Sequence, residues 1–319
     1  MARPEQSSEI GADRIGWTCR LCPRQCGADR YAGRIGACGA GSTVRMYRYG
    51  LHHGEEPPIS GSRGSGTLFF SHCTMSCLYC QNWPWSQDNR GEDIDTDALA
   101  ERFRKLRLDG AHNLNLVSPT PWLPMIRDAL AKAHTDRDRL PVVMNTSGYE
   151  SVETLREFKG VADVYLTDLR YARSATARDA SNAPDYVETA RAALLEMRRQ
   201  TGPLQTDEHG IARSGTICRL LVLPGHADET VDNLHWLASH VGTDCPVSVM
   251  AQYRPAWRAA ERSDNWSRTL RRTEYDRVCE AVATLGLDGW IQDFEADTAA
   301  PMAGFNMPAG YGHVNPPPA

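Results

Sequence analysis

The stretch Thr67-Leu-Phe-Phe-Ser71-His-Cys73-Thr-Met-Ser-Cys77-Leu-Tyr-Cys80-Gln-Asn82 decides how the rest of the chain is read. Thr67 to Ser71 is a short apolar run that predicts a buried strand, and two residues later come three cysteines spaced C-x3-C-x2-C. Three thiolates in one short loop can hold three irons of a cubane whose full protein complement is four cysteines, which leaves one iron open. An open coordination position separates a catalytic metal site from a closed structural one. The alternatives are a zinc site completed by His72 or a distant ligand, and three cysteines that sit incidentally in the core. A zinc knuckle pairs two short-spaced ligands with two more further on, and no second pair closely follows Cys80.

Beyond this stretch, short β-branched or apolar runs alternate with segments of helical period, the signature of repeated βα units. The predicted strands are Thr67 to Ser71, Leu114 to Ser118, Pro141 to Asn145, Val164 to Asp168, Ile217 to Leu223 and Pro246 to Ala251. Asp95 or Thr96 can cap a first helix with Leu99, Phe103 and Leu106 on one face. Further stripes are Leu123, Ile126 and Leu130, and Val152, Leu155 and Phe158 after Glu150 and Ser151. Three more follow: Val187, Ala190, Leu194 and Met197 behind Pro184; Val231, Leu234, Leu237 and Val241; and Tyr275, Val278, Val282 and Leu285. Helix-filled crossovers imply a parallel sheet, either doubly wound or a partial barrel. Leu204 to Ser214 is polar and reads as a surface loop. Three regions result: a cysteine-rich module over residues 1–66, the βα body over 67–292, and an irregular Pro- and Gly-rich tail over 293–319.

Composition narrows the function classes. The 319 residues are 41% hydrophobic and 24% charged, which is globular, and a chain of this length needs no disulfide staples. Apolar stretches such as Leu220 to Leu223 are far too short for a transmembrane helix, and Met1 to Gly16 lacks the apolar core of a secretory signal. A cytoplasmic protein without a membrane partner is expected. Thirty-five Lys and Arg against forty Asp and Glu leave no basic excess for nucleic acid. Seven of the ten cysteines fall between residues 19 and 80, a clustering that in a reducing compartment indicates metal ligation. Cys19, Cys22, Cys26 and Cys38 offer four thiolates to zinc or to a second iron–sulfur cluster, with a disulfide pair as the remaining option. Few apolar residues surround them, so a metal would supply the fold.

The stretch Cys73-Thr-Met-Ser-Cys77-Leu-Tyr-Cys80 resembles the signature of the radical S-adenosylmethionine (SAM) superfamily, including the aromatic residue before the third cysteine. The motifs His53-Gly-Glu-Glu-Pro57, Ile59-Ser60-Gly61, Gly64-Ser-Gly-Thr67, Asn145-Thr-Ser-Gly-Tyr149 and Gln252-Tyr253-x-Pro255 resemble a subgroup related to pyruvate formate-lyase activating enzymes. So do Cys19-Arg-Leu-Cys22-Pro-Arg-Gln-Cys26 and Gly33-x-x-Gly36-x-Cys38. The resemblance implies an α/β fold with a partial (β/α)6 barrel and a 4Fe-4S cluster on Cys73, Cys77 and Cys80 that binds SAM. Reductive cleavage of SAM to a 5′-deoxyadenosyl radical would then abstract hydrogen from a substrate. That substrate is a small molecule or a partner enzyme that receives a glycyl radical, and flavodoxin or ferredoxin would be the electron donor. A metal-stabilised binding protein without chemistry is the rival from another class.

Further site candidates lie at the carboxyl ends of the strands, where α/β folds gather ligands. Ser118-Pro119-Thr120-Pro121 stands where the superfamily carries Gly-Gly-Glu-Pro against the SAM amino group, so Ser118 and Thr120 would supply oxygens in place of a carboxylate. Asn145 and Ser147 are expected near the ribose or carboxylate, and Arg170 beside Asp168 is a fork donor for the SAM carboxylate. Arg219 and Gln252 complete the ring, with the adenine near the backbone of Tyr79. Each of these also fits a cap or turn residue. His52, His53, Glu55 and Glu56 form either a substrate entrance or a solvated charged loop.

Overall fold

The computed structural model describes residues 18–133 and 139–294. The expected tail from residue 295 onward and the first 17 residues lie outside the described residues. β1 (Val44–His52) leads through α1 (Pro57–Ser60) to β2 (Ser65–Phe70). After the cysteine loop come α2 (Trp83–Ser86), β3 (Glu92–Ile94) and α3 (Thr96–Leu108). Strand and helix then alternate through β4 (Leu114–Val117), α4 (Leu123–Ala133), β5 (Val142–Thr146), α5 (Val152–Glu157) and β6 (Val164–Asp168). Two helices, α6 (Ser174–Ser181) and α7 (Tyr186–Thr201), precede a hairpin of β7 (Gln205–Thr206) and β8 (Ala212–Leu221). The body ends with α8 (Ala227–His240), β9 (Val247–Met250), α9 (Arg272–Leu285) and β10 (Gly289–Ile291).

The strand order β2-β4-β5-β6-β8-β9-β10 is parallel throughout and never reverses. A doubly wound sheet reverses at a switch point, so the winding here is that of a barrel, with right-handed crossovers keeping the helices on one side. Among the described residues the two edges do not pair: β1 and β3 extend one edge antiparallel and β10 ends the other. The fold is therefore an α/β partial barrel, and its six expected βα units are followed by one short extra strand.

Local chemistry sets the elements. The Asp95 carboxylate caps α3 by accepting from the Ala98 amide at 2.8 Å, and Leu99, Phe103 and Leu106 are buried on its inner face. Ser151 caps α5 in the same way through Thr154, and Leu155 and Phe158 face inward while Val152 is only half-buried. Strand alternation divides the side chains between two faces. Leu68, Phe70, Leu114, Leu116, Val142 and Met144 pack among the residues of α3 and α4, whereas Val143, Val164, Leu166 and Ile217 point to the barrel interior and close around Ile59 of α1. Ile59 is fully buried and plugs the barrel at the amino ends of its strands.

Two segments differ from the expectation. Residues 44–66, expected in the cysteine-rich module, supply β1 to the sheet and α1 to the floor; the burial of β1 alternates residue by residue, a period hidden by Arg45, Arg48 and Gly50. The segment expected as a loop at 204–214 is a hairpin, organised by the Asp207 carboxylate, which accepts from the His209 amide at 2.9 Å and the Ile211 amide at 3.0 Å. Among the described residues no helix is long and apolar enough to cross a membrane.

Candidate functional site

The Cys73–Cys80 loop leaves the carboxyl end of β2 and folds over the mouth of the barrel. His72, with φ +68, turns the chain out of the strand, and its ring nitrogen Nδ1 lies 3.0 Å from the Cys38 carbonyl, so it is a scaffold joint between the two cysteine regions. The loop is tied down at Leu78, whose amide donates to the Ala180 carbonyl at 2.8 Å and whose carbonyl accepts from the Ala259 amide at 2.9 Å. Each of its cysteines has a hydrogen-bond donor. Arg170 Nη1 donates to Cys77 Sγ at 2.9 Å and Ser181 Oγ at 3.0 Å; the Met75 amide reaches Cys73 Sγ at 3.4 Å; Ser86 Oγ is 3.2 Å from Cys80 Sγ. Burial pushes the Cys73 thiol up to about 11 and the Cys80 thiol up to about 12, so these sulfurs ionise when something in the site takes the charge.

Beneath the loop the strand ends join into one network. Asp168 Oδ1 accepts from Arg219 Nε at 2.9 Å, and its Oδ2 accepts from Arg170 Nη2 at 2.6 Å. Arg219 Nη2 also donates to Asn145 Oδ1 at 2.6 Å. Burial pushes the Asp168 carboxyl up, but the Arg219 and Arg170 guanidiniums outweigh it and hold the group below the usual carboxylate range. The chain below contributes what sequence reasoning misplaced: Glu55. Its carboxylate rises through the barrel to accept from Asn115 Nδ2 at 2.9 Å and to meet Arg219 Nη1 at 3.5 Å. Because β1 runs antiparallel to β2, His52 to Gly64 cross the amino ends of the strands, opposite the mouth. His52 and Glu56 are buried there, Glu55 is nearly so and His53 is half-buried, so the segment packs under the barrel and is not a solvated loop. Burial raises the Glu55 and Glu56 carboxyls, with Arg219 opposing, and lowers the His52 imidazole to about 4. The only sequence sign of this arrangement was a pair of adjacent acids next to two prolines.

The other candidates divide. Ser118 adopts a left-handed conformation at φ +57, and its side chain hydrogen-bonds toward Cys73. Thr120 turns away from the cysteine loop to donate to both oxygens of Glu150 at 2.8 Å, and Thr146 donates to the same carboxylate. Buried with hydroxyl partners and no cation, Glu150 is pushed up to about 7. Ser147 is half-buried and only approaches the Tyr149 amide at 3.4 Å. Gln252 meets Gln81 through its backbone carbonyl at 2.7 Å. The Tyr79 ring lies in the core, 5.5 Å from Trp266 and stacked on it, with its hydroxyl 2.6 Å from Tyr171. Asn145, Asp168, Arg170 and Arg219 thus form one network that reaches Cys77 through Arg170, while Thr120, Ser147 and Gln252 make no side-chain hydrogen bond to it and Tyr79 lies within electrostatic reach of Arg170 and Cys77.

The first cysteine region is irregular chain. The Cys19 amide donates to the Ala28 carbonyl at 2.9 Å and the Gly27 amide to the Cys19 carbonyl at 3.1 Å, which folds the segment into a knuckle. Gly36 packs so closely on Cys26 that a Cβ there would lie 2.2 Å from the thiol sulfur. Cys19 and Cys22 are buried, Cys38 is half-buried and Cys26 is exposed; burial pushes the Cys22 thiol up to about 12. Arg30 anchors the region to the barrel, with Nη1 on the Pro121 carbonyl at 2.6 Å and its guanidinium 5.0 Å from the Trp122 ring. Among the described residues no three His, Cys, Asp or Glu side chains converge as the ligand set of a single ion, in either cysteine region.

The fold and this mouth define an α/β partial-barrel protein with a triple-cysteine loop on its first parallel strand. The chain is 30% identical over 285 residues to the uncharacterized protein MJ0674 of Methanocaldococcus jannaschii, covering 87% of this chain and 78% of that protein, and it belongs to that protein's family. No protein-family model matches. Of solved structures, HydG, a maturase of the FeFe-hydrogenase, aligns with 69% of this chain at 13% identity and a TM-score of 0.47; this chain spans about half of HydG, 49%. The HPPK-DHPS protein of Plasmodium falciparum aligns with 65% of this chain at 10% identity and a TM-score of 0.23.

Proposed function

We propose that this protein is a radical SAM enzyme, in which Cys73, Cys77 and Cys80 hold a 4Fe-4S cluster and SAM binds at the mouth of the barrel. The observation that carries the reading is the loop itself: three thiols at the end of a barrel strand, each met by a hydrogen-bond donor and two of them beside a buried serine. Donors on ligating sulfurs are the outer-shell partners that orient thiolates and offset their charge, so the residues present fit the cluster. When bound, the cluster supplies the electron that cleaves SAM and releases a hydrogen-abstracting 5′-deoxyadenosyl radical.

The protein's own residues then have separable tasks. Asp168 holds Arg170 and Arg219 in place, each on its own carboxylate oxygen, so Arg170 is fixed against Cys77 and reaches a SAM carboxylate only from that position. Arg219 carries the network downward to Asn145 and Glu55, which gives the interior a fixed polar wall for the substrate. Ile59 and its neighbours seal the far end against water. A small-molecule substrate suits an interior with a polar wall and an apolar floor, and installation of a glycyl radical on a partner enzyme is the alternative reaction. The first cysteine region is read as a structural module whose four thiols must be drawn together by the zinc ion or second iron–sulfur cluster they take. Incubation of the anaerobically reconstituted protein with SAM and dithionite tests the reading: 5′-deoxyadenosine is expected, and protein that takes up no iron and releases none refutes it.

A further inference from the structure

Arg24 lies between Cys22 and Cys26 of the first cysteine region, yet its side chain is committed to the second. Its Nε donates to the Thr74 carbonyl at 3.1 Å, its Nη1 to the Asn182 carbonyl at 2.5 Å and its Nη2 to the Ser181 carbonyl at 3.3 Å, and its guanidinium lies 5.2 Å from the Tyr149 ring. Thr74 belongs to the Cys73–Cys80 loop. Ser181 and Asn182 form the end of α6, where Asn182 takes the left-handed conformation at φ +48 that closes the helix. Ser181 is fully buried, and its hydroxyl donates to Cys77 Sγ at 3.0 Å while lying 2.5 Å from the Tyr171 hydroxyl. One guanidinium therefore grips both the loop that carries the thiol and the turn that carries its donor. The planar fork matches these carbonyls as a flexible ammonium would not.

A hydrogen bond to a ligating sulfur favours the more negative, reduced form of a cluster, and such bonds are among the levers that set its potential. We propose that Arg24 is a positioning residue for Cys77: it fixes the Ser181 hydroxyl on that sulfur, so that the folding of the first cysteine region is transmitted to the reduction potential of the group held by the second. This inference rests on the reading of Cys73, Cys77 and Cys80 as cluster ligands.

The test is a redox titration of the reconstituted full-length protein, followed by electron paramagnetic resonance, in wild type, Ser181→Ala, Arg24→Lys and Arg24→Gln. Ser181→Ala is expected to move the midpoint to a more negative potential and alter the signal of the reduced cluster. Arg24→Gln should move both in the same direction, Arg24→Lys by less, and the Arg24→Gln/Ser181→Ala double variant no further than Ser181→Ala alone. A wild-type potential in Arg24→Gln, or an additive double variant, overturns the proposal. A second measurement needs no cluster: alkylation of Cys77 relative to Cys279 in the metal-free full-length chain, mapped by mass spectrometry. Arg24→Gln should raise that ratio several-fold, and an unchanged ratio overturns the clamp itself. No cluster signal in wild type together with a raised ratio refutes the cluster reading alone.

Discussion

The two cysteine regions are built on opposite terms. Cys73, Cys77 and Cys80 sit on a loop launched by a buried strand, sewn to α6 and to the segment after β9, and surrounded by side chains that donate to sulfur. Cys19, Cys22, Cys26 and Cys38 sit on irregular chain held by a backbone knuckle and by arginines that reach outward, Arg30 to Pro121 and Arg24 to the other loop. One region inherits its order from the barrel; the other must obtain it from whatever its thiols bind and from its anchors. The contrast teaches that equal cysteine density does not mean equal role: the prepared loop is where chemistry is expected, and the anchored knuckle is where stability is.

The largest expected difference is in activity. Replacing Cys77 by Ala should abolish release of 5′-deoxyadenosine while far-ultraviolet circular dichroism stays that of wild type, since the loop's backbone is held elsewhere. Cys22→Ala should instead expose residues 18–43 to proteolysis and leave cleavage of SAM reduced but present. Equal loss of activity in both variants, with both folded, would erase the distinction.

Next comes the scaffold under the prepared loop. Arg219→Met leaves Asp168 with Arg170 alone and Glu55 with only its asparagine amide donors, and should cost about 3–5 kcal/mol in denaturant unfolding. Arg30→Ala, which removes a buried guanidinium from two backbone carbonyls and from the face of Trp122, should cost less, about 2–3 kcal/mol, with the proteolysis pattern of Cys22→Ala. If Arg30→Ala costs more than Arg219→Met, the first region is the greater support of the fold and the comparison is inverted.

The smallest effect is a pH dependence at the floor. His52 is buried with its imidazole held near 4, below its unfolded value, so it stabilises the folded state above the unfolded pKa and that stability is lost as pH falls through 6.5 toward 4. Wild type should therefore lose about 1 kcal/mol more than His52→Phe between pH 7 and pH 5.5. Parallel stability–pH curves for the two proteins would show that His52 is not a neutral buried group.

Much of the barrel was legible because helix stripes and buried strands carry their period openly: Leu99, Phe103 and Leu106, or Val164 to Asp168, need no tertiary knowledge. The choice between a doubly wound sheet and a barrel was legible only through the family resemblance of the cysteine stretch and not from the βα pattern, because strand order is a property of pairing and leaves no local pattern. β1 was missed because Arg45 lies on one face and the buried Arg48 and Gly50 on the other, next to a bulge between Met46 and Arg48, which weakens a period-2 signal. At the site, the cysteine spacing and the polar residues at strand ends pointed to the mouth, and Asn145, Asp168, Arg170 and Arg219 do converge there. Thr120 was misdirected by its neighbours in sequence: its partner is Glu150, thirty residues away and one strand over. Glu55 was unreadable for a related reason, since only the antiparallel return of β1 brings it beneath the barrel and up to Arg219.

The most direct measurement is iron and acid-labile sulfide content of the anaerobically reconstituted protein, taken together with 5′-deoxyadenosine released after addition of SAM and dithionite, for wild type and Cys77→Ala side by side. Wild type should hold about four irons, or about eight if the first region also binds a cluster, and should release the nucleoside, while Cys77→Ala releases none. Wild type without iron and without nucleoside, or a Cys77→Ala protein that releases it at the wild-type rate, would contradict the account.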